Sequence, residues 1–172
     1  MTDNGVILII IIFIIIVIAR LYAKKDGKWA DSAVTLEKVK NHLDKYKLTK
    51  HMYKKFNEKP QPEVEWNKHL EESFKKSFLS VKRGNPRKKS EIDLAVGKTE
   101  FGIELKWASA LKSTGGFDRA KGQLERYSKN QDYSNLMLVV AGTISDKHEI
   151  YLQDTEKMVK EIGITYYFME IS

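Results

Sequence analysis

The chain has 172 residues, 42% of them hydrophobic and 31% charged, with a formal net charge of +7 and a pI near 9.3. That length holds one compact domain with appendages and excludes two large ones. The absence of cysteine excludes disulfides and thiolate metal sites, leaving oxygen and imidazole as metal ligands, while the basic balance points to an anionic partner, nucleic acid or lipid headgroups.

Gly5 to Ala23 reads GVILIIIIFIIIVIARLYA, nineteen residues with Arg20 as the only charge. At about 1.5 Å per helical residue this matches roughly the hydrocarbon core of a bilayer. Lipid forces even an isoleucine-rich backbone to satisfy itself as a helix. A transmembrane helix is therefore predicted over 5–23, in contact with the lipid bilayer. A cleavable signal peptide would want a positive leading region, where Met1 to Gly5 offers only Asp3. Arg20, Lys24, Lys25 and Lys28 trail the apolar run and no cation precedes it. The positive-inside rule then places the C-terminal domain in the cytoplasm, behind a single-pass span.

Residues 24–60 hold eleven lysines against five carboxylates, whereas residues 61–172 are almost balanced. Leu36, Val39, Leu43 and Tyr46 recur at helical spacing, with Asp31 or Ser32 as a cap, and Met52, Tyr53 and Phe56 suggest a second short helix. One reading is a basic helical connector held to anionic lipid by its lysines. Another is a pair of helices packed on the domain, and a nucleic-acid tether is a third. Lys59-Pro60-Gln61-Pro62 marks a domain boundary at 60/61.

Beyond it a helix is expected from Pro62, with Glu63, Trp66, Leu70 and Phe74 on one stripe and Glu65, His69 and Glu72 beside it. Phe78 to Val81 reads as a first strand and Lys82 to Lys89 as a basic loop. Ser109 to Gly116 reads as a flexible loop, and a helix is expected from about Asp118 to Lys129. Leu136 to Ala141 is apolar throughout, as a centrally buried strand would be. A helix over Lys147 to Ile162 and a strand over Ile164 to Ile171 complete an α/β domain, a mixed sheet flanked by helices over 61–172.

The most informative stretch is Ser90 to Ala108, SEIDLAVGKTEFGIELKWA. Ile92, Leu94 and Val96 alternate with Glu91, Asp93 and Ala95, and Phe101, Ile103 and Leu105 with Gly102, Glu104 and Lys106, which predicts a β-hairpin with one buried face. Its polar face gathers Asp93, Glu104 and Lys106. Two carboxylates can hold a hard divalent cation such as Mg²⁺, with the Leu105 carbonyl as a neutral ligand. Lys106 can orient a water or neutralise a phosphate, a combination suited to phosphodiester hydrolysis. The same triplet arises by chance on charged hairpin faces, so its context matters. His42, His51, His69 and His148 have no mutual metal-ligand spacing.

SEID followed by IELK resembles the core motif of the PD-(D/E)XK nuclease superfamily, with Ile92 where a proline is usual. Gln123-Leu124-Glu125-Arg126-Tyr127 is similar to the Q-x-x-x-Y element of its RecB-type members. Glu63, with Trp66 and Leu70, resembles the acidic upstream helix of Holliday-junction resolvases and NERD-type domains. The resemblance covers about 62–172. It implies a restriction-endonuclease-like fold and cleavage of DNA, with RNA not excluded, dependent on Mg²⁺ or Mn²⁺. Asp93, Glu104 and Lys106 would form the reaction centre, with Glu63 and Gln123 beside it and Asp93, Glu104 and Leu105 as metal ligands. Lys82, Arg83, Arg87, Lys88, Lys89, Arg119 and Tyr127 are the nucleic-acid contacts to expect, and a homodimer is common in such folds. The alternative is a catalytically silent module of this fold, acting as a membrane-tethered nucleic-acid-binding or scaffold protein.

Overall fold

The two lysine-rich segments fold as helices because each has a threonine to start it and an apolar stripe to bury. In the computed structural model, which describes residues 34–78, 80–84, 91–97, 100–130 and 133–172, α1 spans Leu36–Lys45 and α2 spans Lys50–Asn57. Thr35 accepts from the Lys38 N–H at 3.3 Å and Thr49 from the Met52 N–H at 3.2 Å, each satisfying a free donor of the first turn. Thr35, rather than Asp31 or Ser32, caps α1. The span predicted over 5–23, the start of the connector, and Arg87, Lys88 and Lys89 lie outside the described residues. Among the described residues no helix is long and apolar enough to cross a membrane.

Helix α3 (Pro62–Lys75) opens on proline at its first position, where the missing N–H costs nothing. Val39 and Leu43 of α1, Phe56 of α2 and Trp66, Leu70 and Phe74 of α3 are buried together with Leu94, Val96, Phe101, Ile103, Leu105 and Trp107 of the sheet. Residues 34–57 therefore belong to the domain core. The boundary expected at 60/61 falls in an exposed turn between two helices that share that core, because the apolar stripes of α1 and α2 find their cover on the sheet.

The sheet has the order β1 (Val81–Arg83), β2 (Leu94–Val96), β3 (Phe101–Trp107), β4 (Asn135–Gly142), β5 (Thr165–Glu170). The first three strands are antiparallel neighbours, and β3–β4 and β4–β5 are parallel. Helices α4 (Ala108–Leu111) and α5 (Thr114–Asn130) connect β3 to β4, and α6 (Ile144–Lys147) and α7 (Ile150–Glu161) connect β4 to β5. They cover the opposite face, where Leu111, Ala120, Leu124, Tyr127, Leu138, Val140, Leu152 and Val159 form a second core. The molecule is thus a mixed α/β sheet flanked by helices.

Several local expectations change. The first strand lies at 81–83 because Phe78 is drawn into the core against Phe74, ring centroids 5.3 Å apart. Lys82 and Arg83 consequently sit on an edge strand and not in a loop. The hairpin has two buried faces, since β3 is the central strand with helices on both sides. Ile92 leaves the alternation, packing in the α5-side core while Leu94 and Val96 pack on the α3 side. Gly97 takes φ +68 at the hairpin turn, a conformation that costs glycine little. Gly115-Gly116 is helical, with Ser113 Oγ accepting from the Gly116 N–H at 3.1 Å. A β-carbon on Gly116 would lie 1.8 Å from the Ala110 carbonyl oxygen, so glycine serves close packing of α4 on α5 rather than flexibility.

The carboxyl ends of β3, β4 and β5 lie on one side. Ile171, just past β5, bridges Leu48 in parallel, and Lys50 N–H donates to the Ser172 carbonyl at 2.9 Å. Tyr53 meets Trp107 edge-on with centroids 5.0 Å apart. Helix α2 therefore runs across these carboxyl ends, from beyond β5 to the end of β3.

Candidate active site at the carboxyl end of the central strand

Alternation along β3 sends Ile103, Leu105 and Trp107 toward α3 and leaves Glu104 and Lys106 on the α5 side. The Lys106 Nζ donates to Glu104 Oε1 at 2.8 Å and lies 3.8 Å from Glu63 Oε2. Glu63 stands in the first turn of α3, and its Oε1 accepts from the Trp107 N–H at 3.4 Å. Asp93 Oδ2 accepts from the Leu105 N–H at 2.8 Å. This side-chain bond continues the β2–β3 pairing where the backbone ladder stops at Leu94 and Ile103. Asp93, Glu104, Lys106 and Glu63, expected from distant stretches of sequence, are thereby brought together. Leu105 contributes its N–H to Asp93, and its side chain is fully buried.

The electrostatics follow from burial. The Glu104 side chain is 2% exposed and that of Lys106 14%. Burial first, and the Asp93 charge second, push the Glu104 carboxyl up to about 7, against the pull of Lys106. Burial likewise raises Asp93 above the usual carboxylate range, opposed by Lys106 and the Leu105 N–H. For Lys106 burial alone would lower the ammonium's pKa, but Glu104, Glu63 and Asp93 outweigh it and the net shift is upward. A lysine held charged beside carboxyls that burial raises is a pattern found at reactive centres.

Glu104 Oε2 is buried and has no hydrogen-bond partner among the described residues. An orphaned carboxylate oxygen beside a second carboxylate fits a hard divalent cation, which needs only one or two carboxylates, completed by water and substrate phosphate. No group of three or more His, Cys, Asp or Glu among the described residues could hold a metal ion by itself.

The cluster opens on a cleft of about 450 Å³ lined by Glu63, Lys106, Asp118, Arg119, Gln123 and Arg126, among others. Arg119 and Gln123 are thus where a substrate entering the cleft would meet them. Tyr127 is not: it is 2% exposed and its hydroxyl donates to the Glu91 carbonyl at 3.0 Å. It steadies the strand leading into Asp93 and is no surface contact. Arg83 is held by Glu71, with Nε 3.5 Å from Oε2, while Lys82 is exposed on the edge strand. His42 and His69 bond Ser73 and Tyr46 away from the cluster.

Asn67 was not foreseen. One turn after Glu63 and 6% exposed, it donates from Nδ2 to the Asp93 main-chain carbonyl at 2.8 Å. Its signal was its i+4 spacing from Glu63, which puts both side chains on one helix face. Helix α3 thereby grips both strands, Glu63 at Trp107 and Asn67 at Asp93. Asn67→Leu is expected to cost about 1 kcal/mol of stability. It should also speed hydrogen exchange at the Leu105 amide on the order of tenfold, since that amide relies on a fixed Asp93. Native-state exchange measures both, and an unchanged Leu105 amide would remove Asn67 from the positioning role.

Comparison of the chain with family models, curated proteins and solved structures finds no match.

Proposed function

We propose that the protein is a metal-dependent nuclease of the PD-(D/E)XK kind, hydrolysing DNA phosphodiester bonds, tethered to a membrane by residues 5–23 with its domain in the cytoplasm. The observation that carries this reading is the convergence of Asp93, Glu104, Lys106 and Glu63 beside a cleft that also presents Arg119 and Gln123. Asp93 and Glu104 would hold Mg²⁺ or Mn²⁺. Bound there, the cation would neutralise phosphoryl charge and lower the pKa of water.

The chain's own groups account for the remaining tasks. Lys106, kept protonated by three carboxylates, can donate to the attacking water or to a non-bridging phosphate oxygen as negative charge develops there. Water oxygen bonds to phosphorus, the phosphorus–ester oxygen bond breaks, and the departing oxygen takes up a proton. Glu63, half-exposed at the cleft and within reach of Lys106, can accept the water's proton directly or through solvent. Gln123 can position water or a phosphate, and Arg119 can pair with the backbone on either side.

The direct test is nicking of supercoiled plasmid by the purified full chain in detergent, with and without Mg²⁺. Metal-dependent nicking supports the reading. Binding of DNA without nicking would leave the catalytically silent nucleic-acid-binding module, and neither binding nor nicking would sink both of those and leave only the scaffold reading.

A pH dependence follows from Glu104. Its folded carboxyl is raised to about 7, so between the ordinary carboxylate value and about 7 the folded state holds a proton that the unfolded state has lost. Stability therefore falls as pH rises through that window. Glu104→Gln removes this burden, so in EDTA it is expected to raise Tm at pH 8 by several degrees and to leave it nearly unchanged at pH 5. Calorimetry at the two pH values checks the sign, and an equal shift at both would mean that Glu104 does not titrate there.

A further inference from the structure

The lysines of α2 left three readings open, a lipid-held connector, helices packed on the domain or a nucleic-acid tether, and the position of the helix bears on the choice. The helix turns Met52, Tyr53 and Phe56 inward, leaving Lys50, His51, Lys54 and Lys55 exposed with no carboxylate among them. Lys45, Lys47 and Lys59 are exposed at its two ends. The helix lies across the carboxyl ends of the sheet, tied down by the Ser172–Leu48 and Lys50–Ser172 backbone bonds at 3.1 and 2.9 Å. Tyr53 touches Trp107, and the Trp107 N–H bonds Glu63. The cleft itself is lined from α3 by Glu63, from β3 by Lys106 and from α5 by Asp118, Arg119, Gln123 and Arg126. Helix α2 stands outside that lining, joined to it through Tyr53, Trp107 and Glu63.

We infer that the Lys50–Lys54–Lys55 face of α2 is a docking ridge for the phosphate backbone of a nucleic-acid duplex. The duplex straddles the carboxyl end of the sheet, held by α2 on one side of the scissile position and by α5 on the other. This rests on the nuclease reading for its occupant, and it extends the contact surface well beyond the cleft. Charge complementarity is the first argument, since residues 45–59 hold six lysines, Lys45, Lys47, Lys50, Lys54, Lys55 and Lys59, against Glu58 alone, and such a surplus attracts polyanions. Connection to the site is the second: Tyr53 of α2 meets Trp107, whose N–H bonds the cleft-lining Glu63. A rod-like polyanion can span both the ridge and the cleft, whereas a bilayer has no group to place in the cleft.

The test is the salt dependence of DNA binding by the full chain in zwitterionic detergent, measured with a short duplex in EDTA so that no cleavage intervenes. Each neutralised phosphate contributes about 0.9 to the slope of log K against log salt. The variant Lys50→Gln/Lys54→Gln/Lys55→Gln is expected to reduce that slope by about 2 to 3 and to weaken low-salt binding by at least tenfold. Lys76→Gln/Lys157→Gln, which removes two exposed lysines elsewhere, should leave the slope alone. An unchanged slope in the triple variant, or no duplex binding by the parent, overturns the inference. So does a triple variant with the parent's slope but without its preference for phosphatidylserine over phosphatidylcholine vesicles, which assigns the face to lipid. A chain that binds DNA through this ridge yet never nicks plasmid with Mg²⁺ keeps the ridge and loses the nuclease reading. A chain that nicks but shows no α2 effect does the reverse.

Discussion

Lys106→Met is expected to lower Mg²⁺-dependent plasmid nicking by about a hundredfold to ten-thousandfold, the range for removing a group that stabilises transition-state charge or assists proton transfer. Methionine keeps the stem that fills the space beneath α5 and removes only the ammonium. The effect should fall on the rate at saturating DNA, since in the proposed mechanism Lys106 meets the reacting phosphate, while the salt slope of duplex binding in EDTA changes by no more than about 1. The substitution also strips Glu104 of its 2.8 Å partner. Removing one member of a buried ion pair costs about 3–5 kcal/mol when the other stays charged.

That cost has a sign in pH. Without Lys106, the Glu104 and Asp93 carboxyls, already raised by burial, rise further and take up protons. The loss of Tm is therefore larger at pH 8 than at pH 5.5, where Glu104 is largely protonated. Activity must be compared at a temperature where both proteins are folded by circular dichroism. A Lys106→Met protein that nicks as fast as its parent would displace the proposed centre. One that is equally destabilised at both pH values would show that Lys106 is not the counter-charge of these carboxylates.

The alternation around Asp93, Glu104 and Lys106 was legible because a strand turns its side chains with a period of two whatever packs against it. Glu63 was legible for a similar reason, marked by the helical stripe of Trp66, Leu70 and Phe74. Ile92 was misplaced because periodicity assumes a continuous strand, whereas the chain bends at Asp93, whose carbonyl is fixed by Asn67 and the Gly84 N–H. Asn67 stood at i+4 from Glu63, on the same helix face, but its bond to the Asp93 carbonyl depends on α3 packing against β2, which no local pattern records. Composition recorded the lysines of α1 and α2 but not which partner their apolar stripes would find. Gly115-Gly116 suggested a loop because local propensity weighs against glycine in helices, and the Ala110 carbonyl that demands it comes from another element.

Trp66→Ala is expected to cost about 3–5 kcal/mol, the range for truncating a large buried aromatic residue. Trp66 is fully buried and stacks on Trp107, centroids 4.5 Å apart and planes 27° from parallel. Trp107 in turn meets Tyr53 edge-on, so this aromatic column joins α3, β3 and α2. Trp66→Phe keeps a ring in the column and should cost less than half as much. Chemical denaturation monitored by circular dichroism measures both, and an alanine cost below about 1 kcal/mol would deny the column its place in the core. The consequence should reach the site as well. The Trp107 N–H holds Glu63 and the Trp107 ring holds α2, so a loosened Trp107 releases the cleft's acidic wall and the basic ridge together. In the folded Trp66→Ala protein, then, the salt slope of duplex binding should fall toward that of the triple-lysine variant although no charge has been removed. If the slope stays at the parent value, α2 is held by the Leu48–Ser172 and Lys50–Ser172 bonds and the burial of Phe56, and the aromatic column contributes stability without positioning.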